Sequence, residues 1–277
     1  MYYRNLNYIA STIVKSLVII IAFTFFVTSP AYCKDIGTFL RVIGQVFHLK
    51  ENKPPGTPAK VLEVADKGDG VHTKEASRAH LRLIDTSDLF IAPKSEIVLD
   101  YYPLVAHRIT EETVATLLTK GIVHCIINFL YKTNPTAFFI KTEHTMGGIR
   151  GTDLYVLTAK NFTDYFVKNG HIVVTSIQSN RIGNGRSGLY IFEKQMEIRA
   201  GGGGASAVLK GAVIIGRDSH LGPQQAVRVV EGMPPSEVVS VPLEYFDRLE
   251  KLMKIGLPDH FQEGSDPKQL LELIGPL

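Results

Sequence analysis

Apolar and polar residues alternate with a period of two through much of the chain beyond residue 35. In residues 78–83 every second side chain is apolar and the intervening ones are arginine or histidine, which is typical of a strand with one buried and one solvated face. Turn-forming sequences at 67–70, 85–88 and 93–95 each precede another short apolar run. This arrangement predicts an all-β fold, an antiparallel β-sandwich or β-roll of jelly-roll-like form.

Glycine and proline interrupt this pattern at defined places. Gly44 divides one apolar segment into two predicted strands, and residues 53–58 contain three prolines. Because proline cannot donate a hydrogen bond to a ladder, we expect 53–58 to be a surface loop. Gly121 and Gly170 each precede an apolar run, which predicts that a strand begins at each glycine. Residues 110–120 combine a helix-like start with strand-like alternation, so their pattern leaves both structures open.

The C-terminal part of the chain has a helical period instead. Leucine and aromatic residues recur at helical spacing between Ser240, a predicted N-cap, and Gly256, a predicted stop. Residues 266–274 carry a second capping signal and apolar stripe. We therefore predict a C-terminal helical segment over residues 233–277 that packs on the β domain. The alternative is that its apolar faces dock on a separate partner.

The first 33 residues have the pattern of a secretory signal peptide. Arg4 and Lys15 precede a twelve-residue apolar run, residues 16–27, which small residues follow. A helix that spans a bilayer needs roughly 20 residues, so we predict a signal peptide over residues 1–33 and a periplasmic or secreted protein. The alternatives are an uncleaved segment, which is the case in which we expect membrane contact, and a lipid anchor at Cys33.

Charge and cysteine content narrow the classes of partner. The chain has 30 basic and 27 acidic residues, a formal net charge of +3, without a long run of like charge. A nucleic-acid partner is not expected, since phosphate binding needs a concentrated basic face. Cys33 and Cys125 are the two cysteines, and Cys125 lies in an apolar run, so we predict a small buried side chain rather than a nucleophile.

A glycine-rich segment lies between two strand-like runs, residues 138–142 and 153–156. Its glycines permit positive φ angles or close backbone approach, so we predict that the segment is a shaped turn joining the two strands. Arg150 places five donors beside a threonine and an aspartate. Such an arginine can tie the corner of a sheet together or bind an anion or a partner. The candidate binding residues are Arg150, Gly151, Thr152 and Asp153.

The same segment resembles a known family. Residues 142–153, TEHTMGGIRGTD, resemble the threonine, small-residue, Val-Arg-Gly-Thr signature that closes the core of the FecR domain, the periplasmic module of the iron-dicitrate regulator family. Residues 68–73, 77–83 and 91–97 resemble the earlier strands of that family in the same order. The resemblance covers about residues 36–180.

The resemblance implies a β domain over residues 34–232, with a strand at 110–120. FecR proteins join a cytoplasmic head that binds a sigma factor, through one membrane span, to a periplasmic domain that senses an outer-membrane transporter. About 15 residues precede the apolar run here, so we expect no such head. What the resemblance implies is a non-enzymatic extracytoplasmic binding or signalling module whose partner is an envelope protein or a cell-wall glycan.

The residues give less support to an enzymatic function. Histidines at 72, 80, 124 and 171 lie in or beside predicted strands, as in a metal site of a cupin-like barrel, yet the His-x-His ligand pattern is absent. Nucleophile elbows, phosphate loops and dinucleotide motifs are absent as well. We expect no catalytic residue, no metal and no cofactor. The alternative is a cupin-like or carbohydrate-active envelope enzyme with a site that these motifs do not describe.

Overall fold

The computed structural model describes residues 35–101, 104–105, 108–109, 114–128, 138–179 and 212–257. The chain divides into two compact units, Met1–Lys34 and Asp35–Leu277, and the first lies outside the described residues. The strands of the second unit are β1 (Asp35–Ile43), β2 (Val46–Leu49), β3 (Thr57–Pro58), β4 (Val64–Asp66), β5 (Gly70–Thr73), β6 (Arg78–Leu83), β7 (Asp88–Ile91), β8 (Glu96–Tyr101), β9 (Leu104–Val105), β10 (Arg108–Ile109), β11 (Val114–Ile126), β12 (Phe138–Lys141), β13 (Thr145–Thr158), β14 (Phe162–Ser179), β15 (Ala212–Leu221), β16 (Gln225–Val230) and β17 (Val239–Ser240).

One branched sheet contains all of these strands except the β9–β10 pair. Its main path is β17-β16-β14-β13-β12-β11-β7-β6-β1-β4, and a second branch, β8-β5-β2-β3, leaves from β11. The first half of β11 pairs with β8 and the second half with β7. Among the described strands every pairing is antiparallel apart from the parallel pair β11–β12, which confirms the predicted all-β class.

The two branches contribute to one core because their inward side chains belong to the same apolar cluster. Phe39 of β1 and Leu81 of β6 are fully buried in it, as are Val71 of β5 and Ile97 of β8. The alternation that the sequence shows in β6 is confirmed, since its apolar positions are buried and its polar positions are more exposed. Cys125 is fully buried, as predicted.

The predicted glycine-rich turn is wrong in its extent. The chain reverses at residues 142–144, and the glycines lie inside the 14-residue strand β13. Gly147 is required there by a tertiary contact, because a Cβ atom on it would lie 2.8 Å from Cε1 of Tyr165. Below this ring the hydroxyl groups of Thr142, Thr145 and Thr163 form a buried hydrogen-bonded cluster with the Tyr165 hydroxyl.

Gly121 and Gly170 also lie within strands rather than at their starts. They occupy the middle of β11 and β14 with φ angles of 97° and 95°. At Gly121 a Cβ atom would lie 2.2 Å from Oγ of Ser95, and this hydroxyl accepts a hydrogen bond from the N–H of Ile122 at 3.0 Å. Glycine at this position lets β11 bend and continue from the second branch of the sheet into the first.

Part of the expected loop at 53–58 is a strand. Thr57–Pro58 forms β3 and pairs with β2, with Pro58 opposite Phe47. Proline is tolerated here because β3 pairs on one side with β2 and has no further neighbour among the described strands. The 3-10 turn Lys50–Asn52 and the residues up to Gly56 connect β2 to this short strand.

The predicted helix is present as α1 (Leu243–Ile255), and it begins later than the sequence suggests. Ser240 is not its N-cap, since it pairs with Gln225 in the sheet and Pro242 occupies the cap position. The helix packs on the outer face of the main sheet, where a second apolar cluster joins it to β13 and β14. Residues 266–274, predicted as a further helix, lie outside the described residues. No helix in the described part of the chain is long and apolar enough to cross a membrane.

Candidate binding site

The corner formed by residues 150–153 is a β-bulge. The register between β13 and β14 shifts between Arg150 and Asp153, and Gly151 has a φ of 52°. The Thr152 hydroxyl donates to the carbonyl of His171 at 2.9 Å and accepts from the N–H of the same residue at 3.2 Å. Gly151 is therefore held by the backbone geometry of the bulge and Thr152 by its hydrogen bonds to His171, while the side chain of Arg150 lies outside the described residues.

Asp153 contributes its carboxylate to a polar contact on the outer face of the sheet. Its Oδ1 lies 2.7 Å from Nε2 of His124. The His124 ring stacks on Tyr155 with centroids 4.0 Å apart and planes 8° from parallel. The Tyr155 hydroxyl donates to Oε1 of Glu250 in α1, and Nδ1 of His124 lies 3.9 Å from the same oxygen. These four side chains connect the sheet to the helix, and the sequence alone identified Asp153 among them as a candidate.

Burial raises the pKa of Tyr155, and the hydrogen bond to Glu250 acts in the same direction. A phenol held in its neutral form keeps its proton for the bond to the Glu250 carboxylate. The contact therefore favours a neutral phenol as the donor. It is suited to holding α1 on the sheet.

The aromatic row continues across the sheet beyond His124. Phe90 stacks on His124 at 5.4 Å, and His80 stacks on Phe90 at 4.2 Å. Nε2 of His80 lies 2.8 Å from Asp88, which also accepts two hydrogen bonds from Arg82. Although burial acts against it, bonds from Arg82 and His80 hold the pKa of Asp88 below its usual value. Neighbouring rings of this row therefore pack face to face across the sheet.

A buried histidine forms a second polar cluster that the sequence analysis did not identify. His48 lies between two carboxylates, with Nδ1 2.7 Å from Glu63 and Nε2 2.7 Å from Asp69. Asp69 also accepts hydrogen bonds from the Lys50 ammonium and from the N–H groups of Glu51 and Asp66. The sequence did contain a signal for this cluster. His48 lies two residues after Val46, on the same buried face of β2, and a buried histidine requires hydrogen-bonding partners.

An open groove of about 420 Å³ lies on the outer face of the second branch of the sheet. Leu49 of β2 and Val98 of β8 form its floor and are almost fully buried. Residues 50–56 cover this face, and Gly56 permits the close approach, because a Cβ atom on it would lie 2.8 Å from Cδ1 of Leu49. The groove is lined by Phe47, Leu49, Asn52, Pro54, Pro55, Gly56, His72, Lys74, Glu96 and Val98.

The rim of the groove is polar and carries charges of both signs. Nε2 of His72 lies 3.8 Å from Oε2 of Glu96 across neighbouring strands. Nζ of Lys74 lies over the ring of Phe47, 5.9 Å from its centroid. An apolar floor with a few polar groups at the rim is the usual composition of a binding site. Among the described residues, no group of three or more His, Cys, Asp and Glu side chains is arranged to hold a metal ion.

The fold is similar to that of a putative anti-sigma factor from Parabacteroides distasonis. Two crystal structures of it, at 2.50 Å and 1.65 Å resolution, give TM-scores of 0.42 and 0.41 at 8% sequence identity. Each match covers 65% of this chain, and this chain spans 63% and 64% of the length of those two chains. No protein-family model matches the sequence, and no curated protein matches it either.

Proposed function

We propose that this protein is a non-enzymatic extracytoplasmic module of the FecR type that binds an envelope protein or a cell-wall glycan and takes part in signalling. The groove on strands β2, β5 and β8 is the observation that carries the binding role, because it combines two exposed apolar residues, Pro54 and Pro55, with an accessible polar rim. The structures of the Parabacteroides protein are too distant to add to this proposal, at 8% identity and TM-scores near 0.4.

Three of the buried and half-buried histidines with carboxylate partners lie outside the groove. Nε2 of His48, His80 and His124 is in each case within 2.8 Å of a carboxylate oxygen. None of these three histidines lines the groove. The histidine at the groove is His72, which faces Glu96.

The extracytoplasmic location is supported by the N-terminal sequence and by the ordered resemblance to the FecR domain. The test is the intact mass and the location of the protein recovered from fractionated cells of its source. A mass that lacks residues 1–31 or 1–33, in a soluble envelope fraction, is the expected result. A full-length mass in the membrane pellet would mean an anchored module facing the envelope. Full-length protein in the cytosolic fraction would overturn the proposal.

A further inference from the structure

Helix α1 ends beside a basic part of the outer face of the main sheet. Arg78, His80 and Arg82 alternate with the buried residues of β6, and Arg41 of β1 pairs with His80, so we call these four side chains the arginine face. We propose that the C-terminal segment of this chain, residues 258–277, folds back over the arginine face and places carboxylates beside its arginines. The inference goes beyond the proposed function, because it concerns another face of the molecule and requires no envelope partner.

The course of α1 brings the chain to the margin of this face. Near the start of the helix the ring of Tyr245 stacks on Phe166 of β14, with centroids 6.5 Å apart, and its middle is bonded to Tyr155 of β13. At its end a Cβ atom on Gly256 would lie 2.7 Å from the carbonyl oxygen of Pro93, two residues after β7. Beyond β7 the sheet continues with β6 and β1. The arginine face therefore lies next to the end of α1, on the side away from β13 and β14.

Arg78 lies at the same end of β7 and has an unsatisfied donor. Its neighbour Ala79 pairs with Ile91, the last residue of β7. The Nε atom of Arg78 is buried and has no hydrogen-bonding partner among the described residues. A buried donor without an acceptor costs free energy, so this position calls for an acceptor from elsewhere in the chain. Asp259, two positions after the buried Leu257, is the first carboxylate that the C-terminal segment provides.

The charges of the segment and of the arginine face are opposite. Residues 258–277 contain four acids and one lysine, a formal charge of −3. On the face, Arg82 is bonded to Asp88, whereas Arg41 and Arg78 have no acidic partner within the part of the chain that the structure describes. One exposed ion pair contributes little, but several pairs formed by one segment act together and fix its position on the sheet.

Apolar contacts can continue from α1 across the same face. Phe90 of β7 is half-buried at the margin of the apolar cluster under the helix, and Ile43, which pairs with Arg78, is half-buried as well. The apolar stripe predicted for residues 266–274 follows the eight residues 258–265, which extend to roughly 27 Å. Two strand spacings are roughly 10 Å. The segment is therefore long enough to bring its stripe over β6 and β1.

The experiment is paramagnetic relaxation enhancement in the 15N-labelled protein, in the form recovered from cells. A nitroxide is attached at Lys268→Cys, with Cys33→Ser where that residue is retained. Cys125 is fully buried and is protected from the reagent. We expect the amide signals of β1, β6 and β7 to lose intensity, and those of β2 and β5, on the other side of the core, to lose less.

Two sets of variants test the ion pairs. Arg41→Gln with Arg78→Gln removes two positive charges from the face, and Asp259→Asn with Glu263→Gln removes two negative charges from the segment without touching the sheet. Each set should reduce the broadening of β1 and β6. Salt at roughly 1 M should do the same, because it shortens the screening length to about 3 Å. Arg217→Gln, at an exposed position of β15, is the matched control and should leave the broadening unchanged.

Three results would overturn the inference. The first is a loss of intensity that is equal in all strands or absent from β1, β6 and β7, and the second is broadening that neither set of variants reduces. The third comes from mixing 15N-labelled protein without the nitroxide and unlabelled protein that carries it. Broadening of the same strands in this mixture would assign the arginine face to the segment of a second copy, and we expect none.

Discussion

At the scale of single residues, close packing decides what the sequence tolerates. Gly147 lies under the ring of Tyr165, and an added Cβ atom would come within 2.8 Å of Cε1. The ring is buried and its hydroxyl is bonded to Thr145, so it has little freedom to move. We expect Gly147→Ala to lower the free energy of unfolding by about 1–3 kcal/mol, the usual cost of overpacking a core.

The measurement for this prediction is chemical denaturation followed by circular dichroism. Gly222→Ala is the control, because the nearest atom to its added Cβ would be 3.6 Å away, an ordinary contact. A stability of Gly147→Ala equal to that of the control would show that the ring of Tyr165 adjusts at no cost.

The carboxylate of Asp69 has more hydrogen bonds than most of the described acids. It accepts from the ring of His48, from Lys50 and from two backbone N–H groups. An amide in its place cannot accept all four bonds and leaves buried donors unsatisfied. We expect Asp69→Asn to lower the free energy of unfolding by about 3 kcal/mol. Thermal unfolding of this variant beside Lys53→Gln, which alters an exposed ion pair, tests the expectation, and equal melting temperatures would refute it.

At the scale of elements, helix α1 offers a comparison within one structure. Leu249 is fully buried against the outer face of the sheet, whereas Leu243 in the same helix is 60% exposed. Leu249→Ala should cost about 2–5 kcal/mol, since it leaves a cavity between helix and sheet. Leu243→Ala should change stability by less than about 0.5 kcal/mol.

Hydrogen exchange is the measurement that assigns the effect to the helix. In Leu249→Ala the amides of α1 should exchange faster than in the unmodified protein, and those of β6 and β7 should change less. If protection fell equally in all three elements, the helix and the sheet would unfold as one unit, and the separate docking of α1 would be disproved.

The strands were predictable where local pattern and tertiary packing agree. The alternation of β6 and the turns before β7 and β8 are visible in the sequence, because the residues that make them are adjacent. The glycines of β13 were misread as a turn, since the requirement for Gly147 comes from Tyr165 on the neighbouring strand. Ser240 was misread as a cap for a similar reason, because its pairing with Gln225 comes from the sheet.

The contacts around the candidate residues were less predictable than the strands. Asp153 was identified from its neighbours, but His124, its partner, is 29 positions away. Glu250, which accepts from Tyr155, is 95 positions from that tyrosine. In a branched sheet, the number of positions between two residues does not indicate whether their side chains are in contact. The groove depends on residues 50–56 covering the outer face of β8, and no local pattern indicates this.

At the scale of the whole molecule, two apolar clusters lie on opposite faces of the main sheet. One fills the space between the two branches, and the other joins the sheet to α1. Polar clusters lie at the margins of both, with His48 near the first and His124 near the second. Because each polar cluster joins several elements, a change in its charge state affects the stability of the entire fold.

Acid should destabilise the protein through the carboxylates with lowered pKa values. Burial opposes the shift in each case, yet hydrogen bonds from His48 to Glu63, from backbone and Lys50 to Asp69, and from Arg82 to Asp88 lower the pKa of the acid. An acid whose pKa is lower in the folded state contributes stability that is complete above its unfolded value of about 4. This contribution is lost as the pH falls through the folded value.

We therefore expect the free energy of unfolding to be nearly constant from pH 7 to pH 5 on account of these acids and to decrease steeply below pH 4. Asp164 acts in the opposite direction, since burial raises its pKa although Arg228 opposes the change.

Comparing urea unfolding of the unmodified protein with Asp69→Asn across this range isolates one cluster. The difference between the two should shrink as the pH falls below 4, because protonation of Asp69 then removes the same charge in both proteins. Asp35→Asn, at an exposed position, should follow the unmodified protein throughout. A difference for Asp69→Asn that stayed constant down to pH 2 would show that hydrogen bonding to a neutral acid, rather than its charge, stabilises this part of the fold.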